Sequence, residues 1–143
     1  MTDPLRILFL CTGNSCRSQM AEGLARDQWG QEYDFMSAGV ERHGMNPRAV
    51  QAMEEIGIDI SGHTSKTVDE LPAAPSVVIT VCDHANESCP VFPGEVERIH
   101  AGFDDPPKLA VDAKTDEEAM VHYRRVRDEI AEYLKSLPDR LPR

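Results

Sequence analysis

Residues 5–10 form a short apolar run broken only by Arg6, and after it come Met20, Ala21, Leu24, Ala25 and Trp29 at helical spacing. A short unbroken run suits a strand buried on both faces, because successive side chains point to opposite sides of a sheet. Residues 33–38, closed by Gly39, read as a second strand. Asn46-Pro47 opens a helix, with Asn as cap and Pro at the first helical position. Ala49, Val50, Met53 and Ile56 continue that helix and Gly57 ends it. Thr67-Val68-Asp69-Glu70 and Thr115-Asp116-Glu117-Glu118 both have the spacing of a capping box. The first opens a short helix. The second opens a long one with Met120, Tyr123, Val126, Ile130, Tyr133, Leu134 and Leu137 on one side, a stripe suited to packing on a sheet. Residues 76–82 form the strongest strand and residues 96–101 a weaker fourth, while 72–75 and 103–107 read as loops.

Strands alternating with helices imply an α/β fold: a single-domain open parallel four-stranded sheet with helices on both faces and right-handed connections. A length of 143 residues fits one domain spanning 1–143. Ligands in such sheets bind at the carboxyl ends of strands. Cys11 and Cys82 each end a predicted strand, so both belong on one rim. No apolar run approaches the roughly 20 residues that span a membrane. The opening Met1-Thr2-Asp3-Pro4 lacks the basic start of a secretory signal, so a cytoplasmic location and no membrane partner are expected. The net charge of −10 argues against generic nucleic-acid binding, which needs basic surface. It also means that any anion must be captured by local donors.

Those donors are concentrated in Cys11-Thr12-Gly13-Asn14-Ser15-Cys16-Arg17-Ser18, between the first strand and the first helix. A loop of this kind can wrap a tetrahedral oxyanion with inward N–H groups, a helix amino end and the planar fork of Arg17. The same field favours a negatively charged sulfur at Cys11, so anion and nucleophile share one site. Four cysteines, Cys11, Cys16, Cys82 and Cys89, leave catalysis, redox chemistry and metal binding open. Their spacings, Cys-x4-Cys and Cys-x6-Cys, are not those of a zinc site, and the five histidines show no close metal spacing.

With Gly13, Asn14 and Ser18 in a strand–loop–helix context, the chain resembles the low-molecular-weight protein tyrosine phosphatase family. It is more similar to the thioredoxin-coupled arsenate reductases built on the same fold. The matching pieces are residues 11–22, Ser37-Ala38-Gly39, His63-Thr64-Ser65, Val81-Cys82 with Ser88-Cys89-Pro90, residues 102–106, and Arg125-Val126-Arg127-Asp128-Glu129-Ile130. The resemblance implies that Cys11 attacks arsenate and that Arg17 and the backbone of residues 12–18 hold the oxyanion. It further implies that Ser18 donates to the Cys11 sulfur and that Asn14 shapes the loop, a residue type that tolerates left-handed backbone angles. Asp105 matches the family's general acid, and Asp104 reads as structural. Cys16 faces the loop as a small packing residue without a redox role.

The same resemblance gives Cys82 and Cys89 a purpose that a phosphatase lacks. A Cys11–Cys82 disulfide forms as arsenite leaves, Cys89 then takes over Cys82, and a thioredoxin-type external donor reduces the Cys82–Cys89 bond. No cofactor is bound and the protein is expected to act as a monomer. Were residues 82–89 helical, their Cα atoms would stand about 10.5 Å apart, beyond the roughly 7 Å a disulfide tolerates. The segment is therefore expected to rearrange on oxidation. His84 lies within it, between the two cysteines.

Three positions depart from family patterns. Related reductases hold potassium with Asn14, Glu22, Ser37 and an acid, but Lys66 stands at the acidic position. Its ammonium is expected to replace the cation and to pair with Glu22. Gln19 stands where phosphatases commonly have Pro, and Pro107 where eukaryotic phosphatases tend to have an aromatic. The alternatives to arsenate reduction are a phosphatase acting on phosphotyrosine or small phosphoesters, and a non-catalytic sensor of oxyanions or redox state.

Overall fold

The computed structural model describes residues 4–82 and 96–141. Its order is β1 (Arg6–Cys11), α1 (Arg17–Trp29), β2 (Asp34–Gly39), α2 (Pro47–Glu54), a 3-10 turn (Val68–Glu70), β3 (Val77–Thr80) and β4 (Glu97–His100). Three further helices follow: α3 (Pro106–Leu109), α4 (Asp116–Lys135) and α5 (Leu137–Arg140). The four strands are all parallel, in the order β2-β1-β3-β4. Ile7, Leu8, Phe9 and Leu10 are all buried, as are Val77, Val78 and Ile79, so both faces of the two central strands are covered. No described helix is long and apolar enough to cross a membrane.

The strand order decides where a ligand can sit. The chain leaves β1 for β2 on one side, then crosses back to β3 on the other. Segments leaving the carboxyl ends of β1 and β3 therefore diverge, and a crevice opens between them. The register Leu10↔Thr80 sets Cys11 and the Val81-Cys82 pair at that crevice.

Helix α1 is buried for its first two turns, from Ser18 to Ala25, because the sheet and neighbouring helices enclose it. Side chains pin it to α4: Trp29 Nε1 donates to Leu134 O at 2.7 Å and Gln28 Nε2 to Ala131 O at 3.1 Å. The stripe expected on α4 is buried at Met120, Tyr123, Val126, Ile130 and Leu134 and half-buried at Tyr133, while Leu137 is buried in the following turn.

Several boundaries differ from expectation. Strand β3 stops at Thr80, so Cys82 stands two residues beyond the strand instead of ending it. Helix α2 stops at Glu54, and Ile56 is 43% exposed beyond it. The chain tightens there through Ile56 N to Met53 O and Gly57 N to Glu54 O bonds, a 3-10 pattern that turns Ile56 off the apolar stripe before Gly57 reaches φ +82°. The stretch 103–107 is only partly a loop, since Pro106 and Pro107 begin α3. Proline suits a first helical turn as readily as a β-turn, and the dipeptide alone does not decide between them.

Candidate active site

Cys11 ends β1, and the loop that follows is shaped by Asn14, buried at φ +49°. Cys16 holds the N-cap position of α1 without a side-chain hydrogen bond. Gly39 lets the end of β2 come close, because a Cβ there would lie 2.7 Å from Asn14 N and 2.4 Å from Glu41 O.

Behind Cys11 runs a polar chain with a defined direction. Asn14 Nδ2 donates to Ser18 Oγ at 2.9 Å, which leaves the Ser18 hydroxyl hydrogen for Cys11 Sγ, 2.8 Å away. Asn14 Oδ1 accepts from Gln19 Nε2 at 3.0 Å and from Lys66 N at 2.9 Å. Gln19 Nε2 also reaches Thr64 O, so its Oε1 faces His63 Nδ1 at 2.9 Å. That histidine nitrogen must carry the proton, and burial lowers the His63 pKa, which favours the neutral ring. The four links from His63 through Gln19, Asn14 and Ser18 each donate toward Cys11.

The front of the site is a cavity of about 360 Å³ lined by loop residues including Cys11, Gly13 and Arg17, with His43, Asn46, Asp105 and Pro107. Arg17 Nη1 donates to Phe103 O at 2.9 Å, and its Nη2 lies 3.8 Å from Asp105 Oδ1. Asp105 is the N-cap residue of α3 but makes no side-chain cap bond. Its carboxyl is therefore not consumed by the helix. Asp104 instead pairs with Arg125 at 3.0 Å on the exposed side. A larger cavity of about 820 Å³ opens by Arg6, Tyr33 and Asp34, at the amino ends of β1 and β2, away from every described cysteine.

Thr12, Cys82 and Cys16 complete the picture. Thr12 Oγ1 lies 3.3 Å from Cys82 Sγ, so the residue next to Cys11 touches the second thiol. Cys11, Cys16 and Cys82 are all unbridged and buried. Burial pushes the Cys16 thiol far up, with the neighbouring Cys11 adding to the effect, so Cys16 is a poor nucleophile. Cys89 and His84 lie outside the described residues, as does all of the segment expected to rearrange beyond Cys82.

Cys11 and Arg17 bracket the loop between β1 and α1. The match to the low molecular weight phosphotyrosine protein phosphatase model is wider, running over residues 6–143. The chain belongs to this family. Among relatives, an arsenate reductase of Halalkalibacterium halodurans is 54% identical over 134 residues, 93% of this chain and 94% of that one. A solved arsenate reductase in a phosphate-binding state is 31% identical, with a TM-score of 0.70, covering 96% of this chain and 99% of the other. The YwlE arginine phosphatase is 26% identical with a TM-score of 0.72, covering 96% and 95%.

Within this phosphatase family fold, the residues around Lys66 do not fit a potassium ion. Lys66 Nζ donates to Thr64 O at 2.9 Å and approaches Ser37 O at 3.4 Å, so an ammonium already occupies the carbonyl oxygens. The expected Lys66–Glu22 pair is not formed. Glu22 is taken by Arg26 at 2.8 Å and by the Ser37 hydroxyl at 2.5 Å, because Arg26 lies one turn along the same helix. Sequence reasoning also passed over His43, whose amide donates to Gly13 O and whose Nε2 meets Glu41 at 2.7 Å. It quoted Ser65 only within a matching piece and gave it no role, though its hydroxyl donates to Gly13 O at 2.8 Å, and it missed the carbonyl of Phe103. His63 and Gln19 were visible, one in a matching piece and one as a departure, but nothing in one dimension joins them.

Proposed function

We propose that this protein reduces arsenate to arsenite. The observation that carries the reading is the Thr12–Cys82 contact at 3.3 Å, which links a second thiol to the loop that bears Cys11. A hydrolase needs one nucleophile here; a two-electron reductant needs a second sulfur within reach of the first. The 54% identical arsenate reductase supports the same reading.

In the proposed sequence, the Cys11 thiolate attacks arsenic, an As–S bond forms, and one arsenate oxygen leaves as water after taking a proton from Asp105. Arg17 and the loop amides of residues 12–18 hold the remaining oxygens. The Cys82 thiolate then attacks Cys11 Sγ. The As–S bond breaks with its electron pair on arsenic, which falls from the pentavalent to the trivalent state, and arsenite departs. The two sulfurs have each lost one electron and are joined. Cys89 attacks Cys82 and releases Cys11 as thiolate. A thioredoxin-type dithiol, as external reductant, opens the Cys82–Cys89 bond. Such a cycle needs a reducing compartment, so the cytoplasm is the proposed location, and a monomer suffices.

The test is arsenate-dependent NADPH consumption with thioredoxin and thioredoxin reductase. The intact chain turns over repeatedly, while Cys89→Ser stops after one arsenite per chain, held as Cys11–Cys82. Repeated turnover by Cys89→Ser at the intact rate refutes the cascade. The second reading, phosphoester cleavage, is favoured by the same loop and Asp105 and by the family's name. It requires only Cys11, so Cys82→Ser spares it and abolishes arsenate turnover.

A further inference from the structure

Phe103 carries no reactive group, yet its backbone ties the site together. Its carbonyl accepts from Arg17 Nη1 at 2.9 Å. Its amide donates to Val81 O at 3.1 Å, next to Cys82. Two residues on is Asp105, 3.8 Å from Arg17 Nη2. A guanidinium is a rigid planar fork, so a carbonyl on one nitrogen fixes the plane in which the others meet a ligand.

The Phe103 side chain is packed in an edge-to-face aromatic pair. Its ring meets Tyr133 of α4 edge-on, with centroids 5.7 Å apart and planes at 85°. The Tyr133 ring also carries the guanidinium of Arg140 from α5, 4.1 Å from the ring centre. The Tyr133 hydroxyl is buried and has no hydrogen-bond partner among the described residues. A buried hydroxyl without a partner is a cost, so this residue contributes through its ring.

We propose that Tyr133, stacked between Phe103 and Arg140, is a positioning residue that holds Arg17 in its anion-binding orientation. Only the choice of arsenate as substrate rests on the reductase reading; the orientation of Arg17 serves any tetrahedral oxyanion. Losing an edge-to-face pair at this point is expected to cost about threefold to tenfold in both oxyanion affinity and kcat/KM.

The experiment compares Tyr133→Leu and Tyr133→Phe. Each is measured for binding of inorganic phosphate by calorimetry, for arsenate turnover with thioredoxin, and for thermal unfolding. Tyr133→Leu weakens phosphate binding and kcat/KM together, at temperatures well below its unfolding. Tyr133→Phe restores both and unfolds no lower than the intact chain. The proposal is overturned if Tyr133→Leu loses thermal stability but keeps phosphate affinity and kcat/KM, or if Tyr133→Phe loses as much affinity as Tyr133→Leu. Should Tyr133→Leu fail to fold, Phe103→Leu removes the same ring pair while keeping the carbonyl, and the same two readouts decide. An intact chain that binds phosphate but never consumes arsenate would sink the reductase reading and leave this test standing.

Discussion

Thr12→Val removes a single hydroxyl while keeping a branched side chain of the same outline. Thr12 Oγ1 lies 3.3 Å from Cys82 Sγ, and when Cys82 attacks as thiolate that hydroxyl can only donate to it. A hydrogen bond to a charged group contributes about 1.5–3 kcal/mol, and the long sulfur contact at a half-buried Thr12 lowers this to about 1–2 kcal/mol. At about 1.4 kcal/mol per decade, and with about half of the thiolate's stabilisation offset by its lower nucleophilicity, the attack on Cys11 should slow about 2- to 7-fold. The assay is a rapid-quench single turnover in a Cys89→Ser background, where the chain halts as Cys11–Cys82. Arsenite release and the bridge, the latter read by mass, should both slow by that factor, while phosphate binding stays unchanged. Bridging at the unmodified rate would show that the hydroxyl gives Cys82 no support. Equal losses in phosphate binding and bridging would show that the loop itself had been distorted.

Two further outcomes rest on charged side chains. Glu55 accepts from Arg124 Nε and Nη2 and from Arg127 Nη1, and the Arg124 bonds hold its carboxyl below the ordinary 4.5. A depressed folded-state value gives stability that is present above the unfolded value and lost as pH falls through the folded one. Thermal unfolding should therefore show Glu55→Gln less stable than the intact chain at neutral pH, with the gap closing as pH drops below about 4.5; a gap of equal size at neutral and acid pH would contradict this. Because Lys66 Nζ already sits on the Thr64 and Ser37 carbonyls, potassium and sodium chloride at matched ionic strength should give the same melting temperature and arsenate rate. A potassium-specific rise in either would mean that the ammonium leaves those oxygens to the ion.

Much of the sheet and most helix starts were legible because they depend on local chemistry. Asn46 caps α2 through Arg48 N and Ala49 N, and Thr67 and Glu70 close both bonds of their box. Both devices act over two or three residues and can be read directly. The end of α2 was not legible, since Ile56 satisfies the apolar period and only the tightened last turn moves it outward. The partner of Glu22 was misread for a related reason: several cations lay within plausible reach, and helix geometry chose Arg26.

The chain alone determined that Cys11 would end a buried strand, with a loop and Arg17 after it, because strand period, turn residues and helix spacing are properties of neighbours in sequence. It could not determine that Gln19 would join His63 to Asn14 across 44 residues, nor that Tyr133 would hold the Phe103 carbonyl that receives Arg17. Those contacts arise only when the strand order β2-β1-β3-β4 brings remote segments to one rim. Hydrogen bonds and ring contacts depend on separations of a few ångströms, and periodicity along a chain carries no information about distance between segments that meet only on folding.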